Sequence, residues 1–178
     1  FMPRLGSHLL LEGWAQLAVE FPHVHLVLVG PRKDLVQPGL KNFRNQLRKS
    51  VSTSGAPERV HFTGLCKNVE EYQRASDIFV MPSEREGMPN SVLEAMASRV
   101  AVIVTPFQGL SHDLGTPGTH FLLCDRNVTD LASALRLLLK NPAQRSMFAA
   151  QGYQWIRENM NIERSLDRYA ALYHELAA

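Results

Sequence analysis

Apolar positions along the chain follow two alternating rhythms. Leu9, Leu10, Trp14, Leu17 and Ala18 recur at helical spacing, so His8 to Glu20 reads as an amphipathic helix that Phe21-Pro22 ends. The next run, Val24 to Gly30 (VHLVLVG), is short and apolar, and Gly30-Pro31 stops it. That composition predicts a strand buried on both faces of a parallel sheet. A polar helix from about Asp34 to Val51 follows. Arg59 to Gly64 (RVHFTG) then reads as a strand, Val69 to Ala75 as a short helix, and Asp77 to Met81 (DIFVM) as a third strand.

The second half keeps the alternation. Pro89 to Ser98 is predicted helical, Val100 to Thr105 (VAVIVT) a strand and His120 to Cys124 (HFLLC) another. Helices are expected over Thr129 to Lys140, Ala143 to Asn159 and Ile162 to Leu176, with Asn141-Pro142 and Asn161 as punctuation. Strands alternating with helices require crossover connections, and therefore an open parallel sheet covered on both faces. The expectation is an α/β, doubly wound, Rossmann-like domain over residues 1–178. In such a fold a strand is expected before the first helix, yet Phe1 and Met2 open directly onto the helical pattern. The stripe Ile162, Leu166, Tyr169, Leu172, Tyr173 and Leu176 reads first as a core-facing surface, and second as a face for a partner domain.

Composition narrows the classes. The formal charge of +2 comes from 19 basic and 17 acidic residues spread along the chain, with no basic block to track a phosphate backbone, so nucleic acid is not expected as a partner. Cys66 and Cys124 stand far apart, outside any zinc or disulfide spacing, which points to a reducing, cytoplasmic setting. No apolar run approaches the roughly 20 residues that span a bilayer, so no membrane span is expected. His23 and His25 alternate on one strand without a third ligand at recognisable spacing, so no metal site is expected and the pair reads as strand-entry residues.

In open parallel sheets a ligand lies beyond the carboxyl ends of the strands, so the loops after Gly30, Gly64, Met81 and Thr105 are the ones to search. After DIFVM comes Pro82-Ser83-Glu84-Arg85-Glu86-Gly87-Met88-Pro89-Asn90, leading into Ser91-Val92-Leu93-Glu94. Pro89 suits the first helical position, and Gly87 permits close backbone approach just before it. The N–H groups of Asn90 and Ser91 should then be free at the positive end of a helix dipole, an anion site suited to a diphosphate. Glu94 lies about one and a half turns in and leans back toward that mouth, where two carboxylate oxygens fit a ribose diol. Glu86 approaches from the opposite side. As bare residues, Glu86 also fits a solvated loop charge and Glu94 a surface helix acid. Arg32 and Lys33, after the strand VLVG, suit either phosphate neutralisation or a solvated turn, and His112 either donor contact or packing on Pro106 and Phe107. A dinucleotide oxidoreductase is disfavoured, because Gly30-Pro31-Arg32 offers no glycine fingerprint after the strand.

The string EGMPNSVLEAMA closely resembles the E-x7-E signature of retaining GT-B glycosyltransferases of the group 1 (family 4) type. Pro82-Ser83 before it, VAVIVT after it, VLVG, VHFTG and the closing YAALYHEL are similar in order and spacing, so the resemblance covers nearly the whole chain. It implies the donor-binding half of a GT-B fold. That half binds a nucleotide-diphospho-sugar, with Glu94 on the ribose, Glu86 catalytic beside the reacting sugar, and Gly87, Met88, Pro89, Asn90 and Ser91 around the donor. It further implies retention at the anomeric carbon, no metal or other cofactor, and an amino-terminal acceptor-binding domain outside this chain, with possible peripheral membrane association of the full-length protein. Three positions depart from the pattern. Of the usual G-R-L and K-G that contact the diphosphate only Arg4-Leu5-Gly6 remains, with Leu5 where the Lys would be. Ala97-Ser98-Arg99 replaces A-C-G, and His112 stands where an acidic residue is common. A GT-B nucleotide-sugar epimerase and a non-catalytic nucleotide-sugar-binding domain are the alternative expectations.

Overall fold

The computed structural model describes residues 2–31, 38–110 and 114–177. Strands and helices alternate as expected: α1 (Ser7–Ala15), β1 (Leu26–Val29), α2 (Lys41–Ser52), β2 (Val60–Gly64), α3 (Val69–Arg74), β3 (Ile78–Met81), α4 (Asn90–Ala97), β4 (Ala101–Val104) and β5 (Leu122–Leu123). Three helices close the chain: α5 (Val128–Lys140), α6 (Pro142–Asn159) and α7 (Ile162–Ala177). The expected start of the second helix, Asp34 to Gln37, lies outside the described residues. Every strand pair is parallel, β1 with β2, β3 with β4 and β4 with β5, so the α/β, Rossmann-like architecture holds. The single open sheet does not: among the described residues the strands form two sheets, β1-β2 and β3-β4-β5.

Side-chain alternation on β4 divides the core into two clusters. Ala101 and Ile103 face one that includes Leu11, Trp14 and Leu17 near α1, Leu47 of α2, and Leu131 and Leu138 of α5. Val102 and Val104 face the other, with Val92 and Met96 of α4, Phe107 and Phe121. A strand apolar at all four positions buries both faces because its side chains point alternately up and down. Each fully buried Leu, Val or Met contributes about 1.5–3 kcal/mol. β1 does otherwise. Leu28 packs into the first cluster, but Val27 on the opposite face is 39% exposed, which corrects the expectation of burial on both faces.

Helix ends follow their local chemistry. Asn127 and Asn141 cap α5 and α6, their side-chain oxygens accepting the N–H of Asp130 at 2.9 Å and of Gln144 at 3.1 Å. The first helix stops at Ala15 rather than Glu20. The Arg59 guanidinium takes the carbonyls of Phe21 at 2.8 Å, Val24 at 3.0 Å and Ala18, holding the chain in a turn while Leu17 and Ala18 stay buried. β5 is two residues long because His120 is held in a turn, its N–H bonded to Thr116 C=O at 2.9 Å. The α7 stripe is not core-facing. Ile162, Leu166, Tyr169, Leu172, Tyr173 and Leu176 are all exposed, and no residue of that helix is buried. No helix among the described residues is long and apolar enough to cross a membrane.

Candidate functional site

The loops leaving the carboxyl ends of β3 and β4 brace one another. Gln108 N–H donates to Glu84 C=O at 3.0 Å, and Glu86 N–H donates to Gln108 C=O at 3.3 Å. Thr105, fully buried at the end of β4, donates from its hydroxyl to Ser83 C=O at 3.2 Å. Gly109 has φ +102, and a Cβ there would lie 2.5 Å from Glu86 C=O, so only glycine fits this contact. The segment Pro82 to Met88 is therefore held by backbone bonds on both sides.

Within that frame Glu86 is half-buried. Its Oε1 accepts a 2.6 Å hydrogen bond from the hydroxyl of Ser83, itself 1% exposed. A bond to a charged acceptor is stronger than a neutral one and fixes the rotamer. Glu94, exposed on the second turn of α4, has a different support. The amide of Gln73, 5% exposed on α3, donates to Glu94 Oε2 at 3.5 Å and to Ser91 C=O at 3.3 Å. The two carboxylates thus flank the start of α4, each steadied by a buried polar side chain.

The helix start departs from expectation. Pro89 is the N-cap rather than the first helical residue, with φ −81 and ψ 72, and Asn90 N–H donates to Met88 C=O at 2.9 Å. These values describe an inverse γ-turn, which proline's fixed φ favours. The Asn90 amide is consequently engaged and not free; Ser91 N–H has no partner among the described residues. Asn90 and Ser91 are exposed, Met88 is 57% exposed, and a Cβ at Gly87 would meet nothing within 4 Å, so the mouth is open.

Two arginines tie this loop to other elements, Arg4 through its backbone carbonyl and Arg126 through its guanidinium. Arg4, exposed, accepts the Glu84 N–H on its own carbonyl at 2.9 Å, which ties the start of the chain to the end of β3. Gly6 completes the tie: its φ is +71, and a Cβ would sit 2.1 Å from Pro82 C=O. Arg126, before α5, donates from Nε to Pro82 C=O at 3.1 Å. Neither arginine has a carboxylate partner among the described residues. Beside Arg126 on α1, His8 is pushed below the usual histidine range by burial, partly countered by Glu12, and its Nδ1 is buried without a partner. Sequence spacing did not identify Ser83, Gln73 or Arg126 as parts of this site. Only Ser83 carried a local signal, three residues before Glu86. Arg32, Lys33 and His112 lie outside the described residues.

In chemical terms the start of α4 offers the free amide of Ser91 to an anion, the Arg126 guanidinium lies against the preceding loop, and Glu86 before the helix and Glu94 within it are carboxylates able to accept hydroxyl hydrogen bonds.

Comparison with known proteins follows the same lines. The family model of glycosyl transferases group 1 matches residues 1–141. The lipopolysaccharide core biosynthesis mannosyltransferase LpsB of Rhizobium meliloti is 27% identical over 136 residues, 75% of this chain and 39% of its own length. The chain spans less than half the length of the curated relatives it matches. Among solved structures, the C-terminal domain of the group 1 glycosyl transferase LpcC from Francisella tularensis superposes with a TM-score of 0.80 at 24% identity, over 91% of this chain and 83% of that one. Anabaena Alr3699/HepE in complex with UDP superposes with a TM-score of 0.85 at 19% identity, over 98% of this chain and 46% of that one.

Proposed function

Since this chain belongs to the glycosyl transferases of group 1, we propose that it is the donor-binding domain of a retaining enzyme that transfers a sugar from a nucleoside diphosphate to an acceptor. The observation that carries this reading is the pair of carboxylates on either side of the α4 start, Glu86 held by Ser83 and Glu94 held by Gln73. In it, Glu94 accepts the ribose hydroxyls and Glu86 lies against the donor sugar. Ser91 N–H, the α4 dipole, Arg4 and Arg126 face the diphosphate as negative charge develops on the leaving group. No metal is required in this scheme, because fixed dipoles and guanidiniums supply the positive potential. UDP in the HepE complex supports a nucleotide in this class of fold.

The acceptor, and the group that positions it, come from an amino-terminal domain in this reading. The relatives' greater length and the unpartnered apolar face of α7 support it. Orientation of two substrates in one cleft needs both walls. A second reading, nucleotide-sugar binding without catalysis, rests on Leu5 at the position where the Lys of the K-G pair is expected.

Thermal scanning with UDP-, GDP- and ADP-sugars tests the binding step, since a ligand of the folded state raises the melting temperature. One of the three classes should do so, and Glu94→Ala should abolish the shift. Nucleotide release by the full-length enzyme, with and without Glu86→Gln, separates catalysis from mere binding. A melting temperature indifferent to all three classes overturns the donor reading, and a fully active Glu86→Gln enzyme removes the catalytic role.

A further inference from the structure

The sheet formed by β1 and β2 carries a pair of histidines on the face that turns away from the core. Leu28 and Val60 point into the first cluster, so the alternate residues His25, Val27 and His61 share the other face, and all three are exposed. Val27 lies opposite His61 in the parallel register, which puts His25 diagonally across from His61. His25 Nδ1 and His61 Nε2 are 2.9 Å apart, and the rings stack with their centroids 5.2 Å apart and 24° between their planes. Along the sequence His25 has only His23 nearby. The fold supplies it a partner 36 residues away, on the neighbouring strand.

A contact of this length needs one ring N–H and one bare ring nitrogen, so at least one imidazole is neutral. Neutral imidazole is also the commonest side-chain ligand of transition metals. The separation of the two nitrogens selects among them. Metal–nitrogen bonds of about 2.0–2.1 Å place two ligands about 2.9 Å apart when they meet the ion at a right angle, and about 3.3–3.4 Å apart at a tetrahedral angle. The observed distance matches the right angle. Tetragonal nitrogen sites suit copper(II) and nickel(II), tetrahedral ones suit zinc, and the harder magnesium and calcium prefer oxygen. Both histidines stand on backbone whose opposite face is packed into the core, so the rings start from fixed positions.

We propose that His25 Nδ1 and His61 Nε2 form a two-histidine seat for one copper(II) or nickel(II) ion that bridges β1 and β2 on the exposed face of their sheet. When the ion binds, the donating ring carries its proton on its other nitrogen, so both facing nitrogens present lone pairs. No third His, Cys, Asp or Glu joins them among the described residues, and water fills the remaining positions. A two-stranded ribbon is weak by itself, and the bridge strengthens the pairing of β1 with β2. The seat uses neither Glu86, Glu94 nor the loops around them, so the inference does not depend on what that site binds.

Calorimetric titration of the untagged intact protein with nickel(II) tests it. Both side chains are exposed, so replacing either removes no core packing. Saturable binding of one ion is expected, and His25→Ala and His61→Ala should each weaken it by at least about tenfold, the loss that follows removal of even a group supporting a ligand. His23→Ala should bind as the unmodified protein does. Nickel(II) should raise the melting temperature of the unmodified protein and leave that of the His25 and His61 variants unchanged. Electron paramagnetic resonance of the copper(II) complex should show two imidazole nitrogens in the equatorial plane. The absence of saturable nickel(II) binding overturns the proposal, as does an affinity that survives both substitutions or falls equally with His23→Ala, either of which would place the ion elsewhere.

Discussion

The hydroxyl of Ser83 and the carboxylate of Glu86 are joined by a 2.6 Å hydrogen bond that turns a loop glutamate into a fixed group. Because Ser83 is buried and its carbonyl is held by Thr105, the bond is anchored to the end of β4 and not to the loop alone. Ser83→Ala is expected to leave affinity for the bare nucleoside diphosphate unchanged. It should lower kcat of the full-length enzyme by about 1.5–3 kcal/mol in transition-state terms, the range for a hydrogen bond to a charged group. Steady-state kinetics beside calorimetric titration decides it: an equal loss in nucleotide affinity would mean Ser83 serves the fold of the mouth and not Glu86.

Gln73 acts on Glu94 across 21 residues of sequence. Gln73→Glu puts a second carboxylate against the first, replacing a donor with a like charge. Nucleoside diphosphate binding should weaken about tenfold or more, and Gln73→Met, of similar volume, should lose less. Titration of both variants is the measurement. Equal affinities would show that Glu94 does not depend on its neighbour.

Arg99 is a non-glycine residue at φ +59, just after the end of α4, in the place where the family pattern has glycine. The left-handed conformation costs about 1–2 kcal/mol in a residue with a Cβ. Its guanidinium lies 4.2 Å from the Tyr153 ring centroid, a contact worth about 0.5–1 kcal/mol at an exposed site. Arg99→Ala keeps the strain and loses the stack. Arg99→Gly loses both, so it should exceed Arg99→Ala in unfolding free energy by about 1 kcal/mol or more by chemical denaturation. Equal stabilities would show that the backbone here is unstrained.

Stability should fall in mild acid. His120 Nδ1 accepts the Thr116 N–H at 2.8 Å, which requires that nitrogen unprotonated, and burial pushes the imidazole below its ordinary 6.5, against a smaller opposing pull from Glu158. His8 shifts the same way, chiefly through burial. A depressed folded pKa means the unfolded chain takes protons first. Stability is therefore complete above about 6.5 and declines as pH drops toward the folded values. Urea midpoints from pH 7.5 to about 5 should show this slope. His120→Asn, which keeps an acceptor near Nδ1 without the titration, should flatten it, and an unchanged slope would assign it elsewhere.

The periodic pattern alone determined the α/β alternation, because residues that face a core must recur every two positions on a strand and every three or four on a helix. VAVIVT announced a strand, and β4 is one, while its burial at all four residues came from the packing. The string from Glu86 to Ala97 likewise marked the loop and helix of the site, since turn-forming Gly and Pro act locally. Tertiary structure alone decided which groups steady those glutamates. Gln73 and Arg126 reach the mouth from elements remote in sequence, and no spacing rule registers a contact made by packing. It also decided that the α7 stripe is open and that Asn90 gives its amide to Met88. An apolar stripe says that a surface should be covered, while only the arrangement of the other elements says whether anything covers it.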